Sequence, residues 1–578
     1  MSSSLAEAAR LLQAGRIAEA EALARSLVAQ ERSAGALHML GCVRFEAGVP
    51  DEALALIDEA IALGPRDASF LNNRARVLAS AGRFDEAVRD LRRALQLEPA
   101  FNAALVHLGQ VLMRAGRAEE AAGVLRKATL ASRDFTPHFV LGLAEMARGR
   151  PAEAEAAFRA AIAIQPSHAA SHSNLCAVLQ RQGRAAEAIE AVTRALALDP
   201  GLADAHVHWG NALEIQGDLA GARSHYASAI ALAPDSPAPW LCSASSALEL
   251  GLLAEAHAAY ARALALRPGW ADALYGASLA LLREQRFAEG WRGYERRFDT
   301  SPAQAHRRAM SLPRFVPEAG RRPRIAVWSE QGVGDQLLFS TLLPRLSEDA
   351  QAVVEVDPRL LEAYRRSVEG VEFVSPAASA AAFSTCVAEI PLGTLPSLYR
   401  GDRMAFASQP RALLRADPAQ VEAIRRQLGE GRWIGISWRS VQKGLRAGLA
   451  ARKSIPLEYF AGLALARDAR LLDLQYGDVA EERAAFEASH PGLLARVPGL
   501  DVFADLEGVL AAIVACGEVV TASNVTAHLA GAAGVATTVI LAGSHSPFNY
   551  WDAVEGQRSL WYPSLRVARD PGAGYHAP

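Results

Sequence analysis

Over the first 300 residues the apolar positions fall into helix-sized blocks, and the blocks end alike. AIALGP closes at Pro65, ALQLEP at Pro99, AIAIQP at Pro166, ALALDP at Pro200, AIALAP at Pro234 and ALALRP at Pro268. Successive closing prolines stand 34 residues apart, except that the step from Pro99 to Pro166 is 67, with Arg133 where a proline would fall. A second marker keeps the same phase: Gly15, Gly48, Gly82, Gly116, Gly149, Gly183, Gly217 and Gly251. Self-similarity of this period is the signature of stacked helical hairpins. Each glycine predicts a left-handed cap between two helices, and each proline stops the second helix before the next pair begins. The pattern predicts about eight hairpins and a ninth, divergent unit running from Gly269 through Phe287–Phe298. A hairpin of this size cannot bury its apolar face alone, so neighbours must stack.

Beyond residue 300 the helical period stops. Residues 301–322 are rich in proline and arginine and read as a linker. Short apolar runs then alternate with helical stretches. The first set is Arg324–Trp328, Ala352–Val356, Val371–Val374 and Val387–Ile390, and the second is Trp433–Trp438, Leu471–Gln475, Val519–Ala522 and Thr537–Leu541. Such alternation predicts parallel sheets covered on both faces. Two sets, split near Asp417–Gly431, predict two lobes. The expected organisation is therefore repeats over 1–300, a linker over 301–322, one lobe over 323–420 and a second over 430–578. Ligands of these folds bind at the carboxyl ends of the strands, which points to the cleft between lobes.

The stretch Ala81–Pro99, AGRFDEAVRDLRRALQLEP, carries a turn glycine, an aromatic, a small alanine and a closing proline, and so resembles the tetratricopeptide-repeat family. That resemblance implies a concave groove able to hold a protein partner. Nine residues before each turn glycine lies one position per first helix, which reads Met39, Asn73, His107, Val140, Asn174, His208 and Cys242. In the family this position faces the groove. Asn73, His107, Asn174 and His208 are thus candidate acceptor-groove residues, since amides and imidazoles both donate and accept hydrogen bonds. Scattered polar residues on a solvated wall would read the same way.

Further along, SEQGVGDQLLFSTLLPRL (329–346), WIGISWRS (433–440), ARKSIPLEYF (451–460), LDLQYGD (472–478), TASNVTAHLAGAAGV (521–535) and LWYPSLRVARD (560–570) are similar to the catalytic half of bacterial repeat-containing glycosyltransferases. These are heptosyltransferase-like enzymes of the two-lobed GT-B fold, flagellin glycosyltransferases among them. The resemblance implies an α-solenoid of tetratricopeptide repeats followed by an α/β GT-B fold of two Rossmann-like lobes. It implies an inverting, metal-independent protein O-glycosyltransferase acting on Ser or Thr of a protein acceptor such as flagellin. The nucleotide sugar, CMP-, UDP- or ADP-linked, is a substrate, and no cofactor is expected. Ser523 stands where related enzymes commonly carry Asp, which keeps open the alternative of a repeat scaffold with an inactive transferase-like domain.

Three groups carry the candidate chemistry. In Gly332-Val333-Gly334-Asp335 the glycines, between a strand and a helix, would let the backbone approach a ligand closely. Asp335 either caps that helix, worth about 1 kcal/mol, or, as the resemblance implies, takes the acceptor's proton. Glu330 is a second candidate base. In Ser523-Asn524-Val525-Thr526-Ala527-His528 a strand runs into a helix whose free N–H groups and positive dipole end would hold phosphate. Ser523, Asn524, Thr526 and His528 are candidate donor-binding residues, although capping residues and a packed histidine would look the same. Arg439, Lys443, Arg446, Arg452 and Lys453 form a basic group. Arg439, Lys443 and Lys453 are the candidates there, suited to a leaving nucleotide without a metal, unless the loop is simply solvated. The nearest approach to a metal-binding D-x-D is Glu355-Val356-Asp357. Trp551, Trp561 and Tyr562 are expected to pack rather than react.

Composition narrows this little. Among 578 residues, 60 Lys and Arg against 63 Asp and Glu leave a formal charge of −3, without the basic signature of nucleic-acid binding. The arginines between Arg292 and Arg324 read as a solvated joint or an anionic docking surface. Cys42, Cys176, Cys242, Cys386 and Cys516 are scattered and odd in number, so no disulfide framework or zinc site is expected and a reducing cytoplasm fits. The first 16 residues hold no apolar leader core, and no membrane span is expected.

Overall fold

The computed structural model describes residues 2–131, 133–300, 308, 311–440, 454–541, 549–551 and 554–569. Helices pair from the start. The hairpins begin with Ser2–Gln13 and Ile17–Gln30, and pass through pairs such as Ala68–Ser80 with Phe84–Leu97 and Asn102–Arg114 with Ala118–Ala131. They end with Ala271–Arg283 and Phe287–Tyr294, which continues as a 3-10 turn, Glu295–Asp299. Every turn glycine from Gly15 to Gly251 sits at positive φ, between 69° and 90°, the region where a side chain is strained. In the ninth turn Gln285 takes that place at φ 59°. Close helix approach comes from a second set of small residues. A Cβ on Gly41, Gly109 or Gly142 would come within 2.6, 2.5 and 2.5 Å of Ile57, Leu125 and Phe158 on the following helix.

The chain packs as two units, Met1–Ala212 and Leu213–Pro578. The expected boundary at residue 300 is therefore not a packing boundary. The reason lies in Phe287, Trp291 and Tyr294, which are buried in one apolar core with residues of both sheets. Phe287 meets Phe406 at 5.1 Å between ring centres, and Trp291 meets Phe339 at 6.3 Å and Trp561 at 6.1 Å.

Four parallel strands make the first sheet, in the order β3-β2-β1-β4: β1 Arg324–Trp328, β2 Gln351–Glu355, β3 Glu372–Val374 and β4 Ala388–Pro391. The second sheet has mixed strands. Its parallel part runs β7-β6-β5-β8-β9-β12, with β5 Trp433–Ser437, β6 Arg470–Asp473, β7 Leu494–Ala495, β8 Glu518–Ala522, β9 Ala536–Leu541 and β12 Leu565–Arg569. Counted within the lobe this is the doubly wound order 3-2-1-4-5-6, whose switch point lies between β5 and β8. The short antiparallel strands β10 (Val554–Glu555) and β11 (Arg558–Ser559) extend it beyond β12. The expected strands appear within one or two residues, while β7, β10, β11 and β12 were not foreseen. The helix Pro418–Leu428 packs on Leu506–Cys516 of the second lobe, so the lobes divide before Asp417 rather than after it. Among the described residues no helix is long and apolar enough to cross a membrane.

Candidate functional site

A cavity of about 270 Å³ lies in the second unit. Each of its walls follows the carboxyl end of a parallel strand. Gly332, Val333, Gly334 and Asp335 follow β1, Arg359 follows β2, and Ser440 follows β5. Tyr476 follows β6, Val502, Phe503 and Leu506 follow β7, Ser523, Asn524, Val525 and His528 follow β8, and Tyr550 follows β9.

The β1 loop enters the helix Val333–Ser340, and Gly332, not Asp335, is its N-cap. Asp335 is the third helical residue, with a half-buried carboxylate at the cavity wall. Its charge adds to burial in raising the hydroxyls of Tyr275, Tyr294, Tyr550 and Tyr562, the first to about 12. The two glycines are not equivalent, although both line the cavity. A Cβ on Gly334 would stand 2.9 Å from His528 Cδ2, so this glycine lets the helices Val333–Ser340 and Val525–Ala532 close on one another. Glu330 is placed elsewhere. Its carboxylate is buried, accepts from Arg297 Nη2 at 2.8 Å and from the Gly393 amide at 3.2 Å, and is absent from the cavity wall. Burial raises its pKa while Arg297 opposes the rise. It ties the end of the ninth hairpin to the first lobe, and this committed geometry does not suit the base role expected of it.

On the β8 side, Asn524 is the N-cap of Val525–Ala532, accepting from the Ala527 amide at 3.4 Å. Its Nδ2 donates to Ser437 Oγ (2.7 Å) and to the Arg439 carbonyl (3.1 Å), stapling the ends of β5 and β8 together. Ser523 Oγ accepts from Trp551 Nε1 at 2.8 Å. His528 is enclosed by Tyr550, Trp551 and Tyr562, with Nδ1 3.2 Å from the Tyr562 hydroxyl. Burial lowers its pKa to about 3, so near neutral pH it is uncharged and would meet a phosphate as a hydrogen-bonding group, not as a cation. Thr526 is buried outside the cavity wall. Arg439 also departs from expectation: its guanidinium pairs with Glu482 at 3.0 Å and borders a separate pocket. Lys443 and Lys453, with Arg446 and Arg452, lie outside the described residues. Glu355 and Asp357 are each engaged by an arginine, Arg308 at 2.6 Å and Arg359 at 2.7 Å.

Six expected residues thus share one cavity: Gly332, Gly334, Asp335, Ser523, Asn524 and His528. Sequence reasoning gave no role to Arg359, Phe503 and Tyr550, which belong to no recognisable spacing, nor to Tyr476 within LDLQYGD. It also missed Gln475, whose buried Oε1 accepts from the amides of Trp438 (2.8 Å) and Arg439 (2.7 Å) and so shapes the loop leaving β5.

The candidate groove residues are half-buried and differently placed. Asn73 Nδ2 donates to His38 Nε2 (2.9 Å), Asn72 Nδ2 donates to Asn73 Oδ1 (3.3 Å), and His107 Nδ1 donates to Asn72 Oδ1 (2.7 Å). This chain links three successive first helices, and burial lowers His38 and His107 to about 4. Asn174 instead donates to Ala170 of its own helix at 2.9 Å, while the His208 carbonyl accepts from Gln180 at 2.6 Å.

The tetratricopeptide-repeat family pattern matches residues 2–26, 38–91, 78–140, 145–209 and 243–305. The repeats are tetratricopeptide repeats. Protein FlbA of Caulobacter vibrioides is 31% identical over 308 residues, spanning 50% of this chain and 50% of FlbA. The chain therefore covers about half the length of that curated relative. Among solved structures, the APC/C hetero-tetramer Cut9-Hcn1 is similar over 48% of this chain and 55% of its own, at 16% identity and a TM-score of 0.39. YrrB, described as a tetratricopeptide-repeat protein with an unusual peptide-binding site, is similar over 32% of this chain and 95% of its own, at 22% identity and a TM-score of 0.28.

Proposed function

We propose that this protein is a GT-B-type protein O-glycosyltransferase whose cavity holds a nucleotide sugar and whose tetratricopeptide repeats hold the acceptor. The observation that carries the reading is that one cavity, ringed by the carboxyl ends of parallel strands, joins a carboxylate, Asp335, to a helix N-terminus headed by Ser523 and Asn524. The helix end suits the donor's phosphate. Asp335 takes the proton from a Ser or Thr hydroxyl as its oxygen bonds to the sugar's anomeric carbon and the bond from that carbon to phosphate breaks. The donor is CMP-, UDP- or ADP-linked, and flagellin is the first acceptor to try. Lys443 and Lys453 are the residues proposed to offset the charge of the leaving nucleotide.

Asp335→Asn tests the assignment. Transfer should fall at least about 100-fold, the size of a general-base contribution, while nucleotide affinity by calorimetry stays within about twofold. Equal loss of both would make Asp335 a binding residue, and undiminished transfer would remove it from the chemistry. A second reading, an interaction scaffold without catalysis, draws support from Ser523, whose hydroxyl is already engaged by Trp551. A wild-type chain that binds none of CMP, UDP and ADP would favour that scaffold.

A further inference from the structure

We propose that Phe503 is the platform on which the donor's nucleobase stacks, an assignment that rests on reading the cavity as a nucleotide-sugar site. Among the described residues Phe503 is the one Phe, Tyr or Trp left exposed, at 64%, yet it lines the cavity. An exposed phenyl ring forgoes most of the gain from burial, and here the backbone beneath it is fixed. Asp501 Oδ1 accepts from the amides of Phe503 and Ala504, both at 2.9 Å. Arg359 Nη1 donates to the Phe503 carbonyl at 2.8 Å, and its guanidinium carbon lies 5.4 Å from the ring centre.

Arg359 looks like a phosphate ligand by residue type, but its charge is already matched. Asp357 accepts from Nε at 2.9 Å and from Nη2 at 2.7 Å, and the resulting pair holds the Asp357 carboxyl below its usual range, against burial. With Val502 and Leu506 beside it, Phe503 offers the cavity a neutral, apolar π surface. That surface fits a flat, uncharged ring. The groups suited to phosphate and sugar, Ser523, His528 and Asp335, come from the β8 and β1 loops instead. A ligand that satisfies both parts carries a flat heterocycle at one end and a phosphate-linked sugar at the other. Base–aromatic stacking tolerates any base, so Phe503 contributes affinity for the nucleotide without choosing among nucleotides.

Calorimetric titration of the full chain with CMP, UDP, ADP and ribose 5-phosphate tests this. Wild type should bind one or more nucleotides at least tenfold tighter than ribose 5-phosphate. Phe503→Ala should weaken that nucleotide about tenfold, within the range of one lost base–aromatic stack, and leave ribose 5-phosphate unchanged. Phe503→Tyr should restore binding. If Phe503→Ala binds the nucleotide as wild type does, the platform is overturned while the nucleotide reading stands. If ribose 5-phosphate weakens in parallel, Phe503 shapes the loop and does not stack. If wild type binds no nucleotide, the reading of the cavity falls and the platform with it.

Discussion

His528 shows how one residue can serve packing and chemistry together. It lines the cavity, yet three aromatic rings enclose it and a Cβ on Gly334 would come within 2.9 Å of its Cδ2. Its folded-state pKa of about 3 lies below the unfolded value of about 6.5. The unfolded chain therefore takes up a proton first as pH falls. The stability that His528 confers is full above about pH 6.5 and drains away towards pH 3. Between pH 7 and pH 5 it should remove about 2 kcal/mol, read as a shift in the urea midpoint. His528→Asn should lower that slope by about the same 2 kcal/mol over this window, leaving the comparable contributions of His38 and His107, which burial also holds at about 4. At this scale the sequence announced residue types better than roles. Asp335 and Glu330 are five positions apart and chemically alike, and only the fold decides that one faces the cavity and the other Arg297. Asn524 matched its capping reading because a cap is a local device. Arg359 and Phe503 were invisible because they meet across 144 residues.

Elements were far more legible where one contact repeats. The hairpin Asn102–Arg114 with Ala118–Ala131 carries two kinds of small residue for opposite reasons. Gly116 has open space around it but a φ of 74°, whereas Gly109 has an ordinary helical backbone and no space, with Leu125 2.5 Å from where a Cβ would sit. Both Gly109→Ala and Gly116→Ala should destabilise, by about 1–3 kcal/mol through overpacking in the first and about 1–2 kcal/mol through backbone strain in the second. The causes separate in double variants followed by chemical denaturation. Leu125→Ala should couple favourably with Gly109→Ala, by more than about 0.5 kcal/mol, because the smaller side chain admits the methyl. With Gly116→Ala it should simply add. The strands that escaped notice are those without a run of apolar residues. β7, β10 and β11 span two residues each, and in β12 Arg566 separates Leu565 from Val567.

For the whole molecule, the period of 34 located the repeats but not the point where repeat becomes lobe. Phe287, Trp291 and Tyr294 form an amphipathic stripe, which says that a face is buried without saying against what. Their burial with Phe339, Phe406 and Trp561 makes the ninth hairpin part of the sheet-bearing core. Removing it would expose several large side chains, each worth about 1.5–3 kcal/mol when buried. A fragment of residues 269–578 should therefore fold and keep any nucleotide affinity of the full chain, while a fragment of 301–578 should aggregate or melt without a cooperative transition. Scanning calorimetry of the two decides it. Equal folding of both would return the boundary to residue 300.

The loop after β1 is attached at two places. Glu330 is locked to Arg297 at the end of the ninth hairpin, and five residues later Asp335 stands at the cavity wall. The same short span thus joins the seam between the last hairpin and the first lobe to the wall of the cavity.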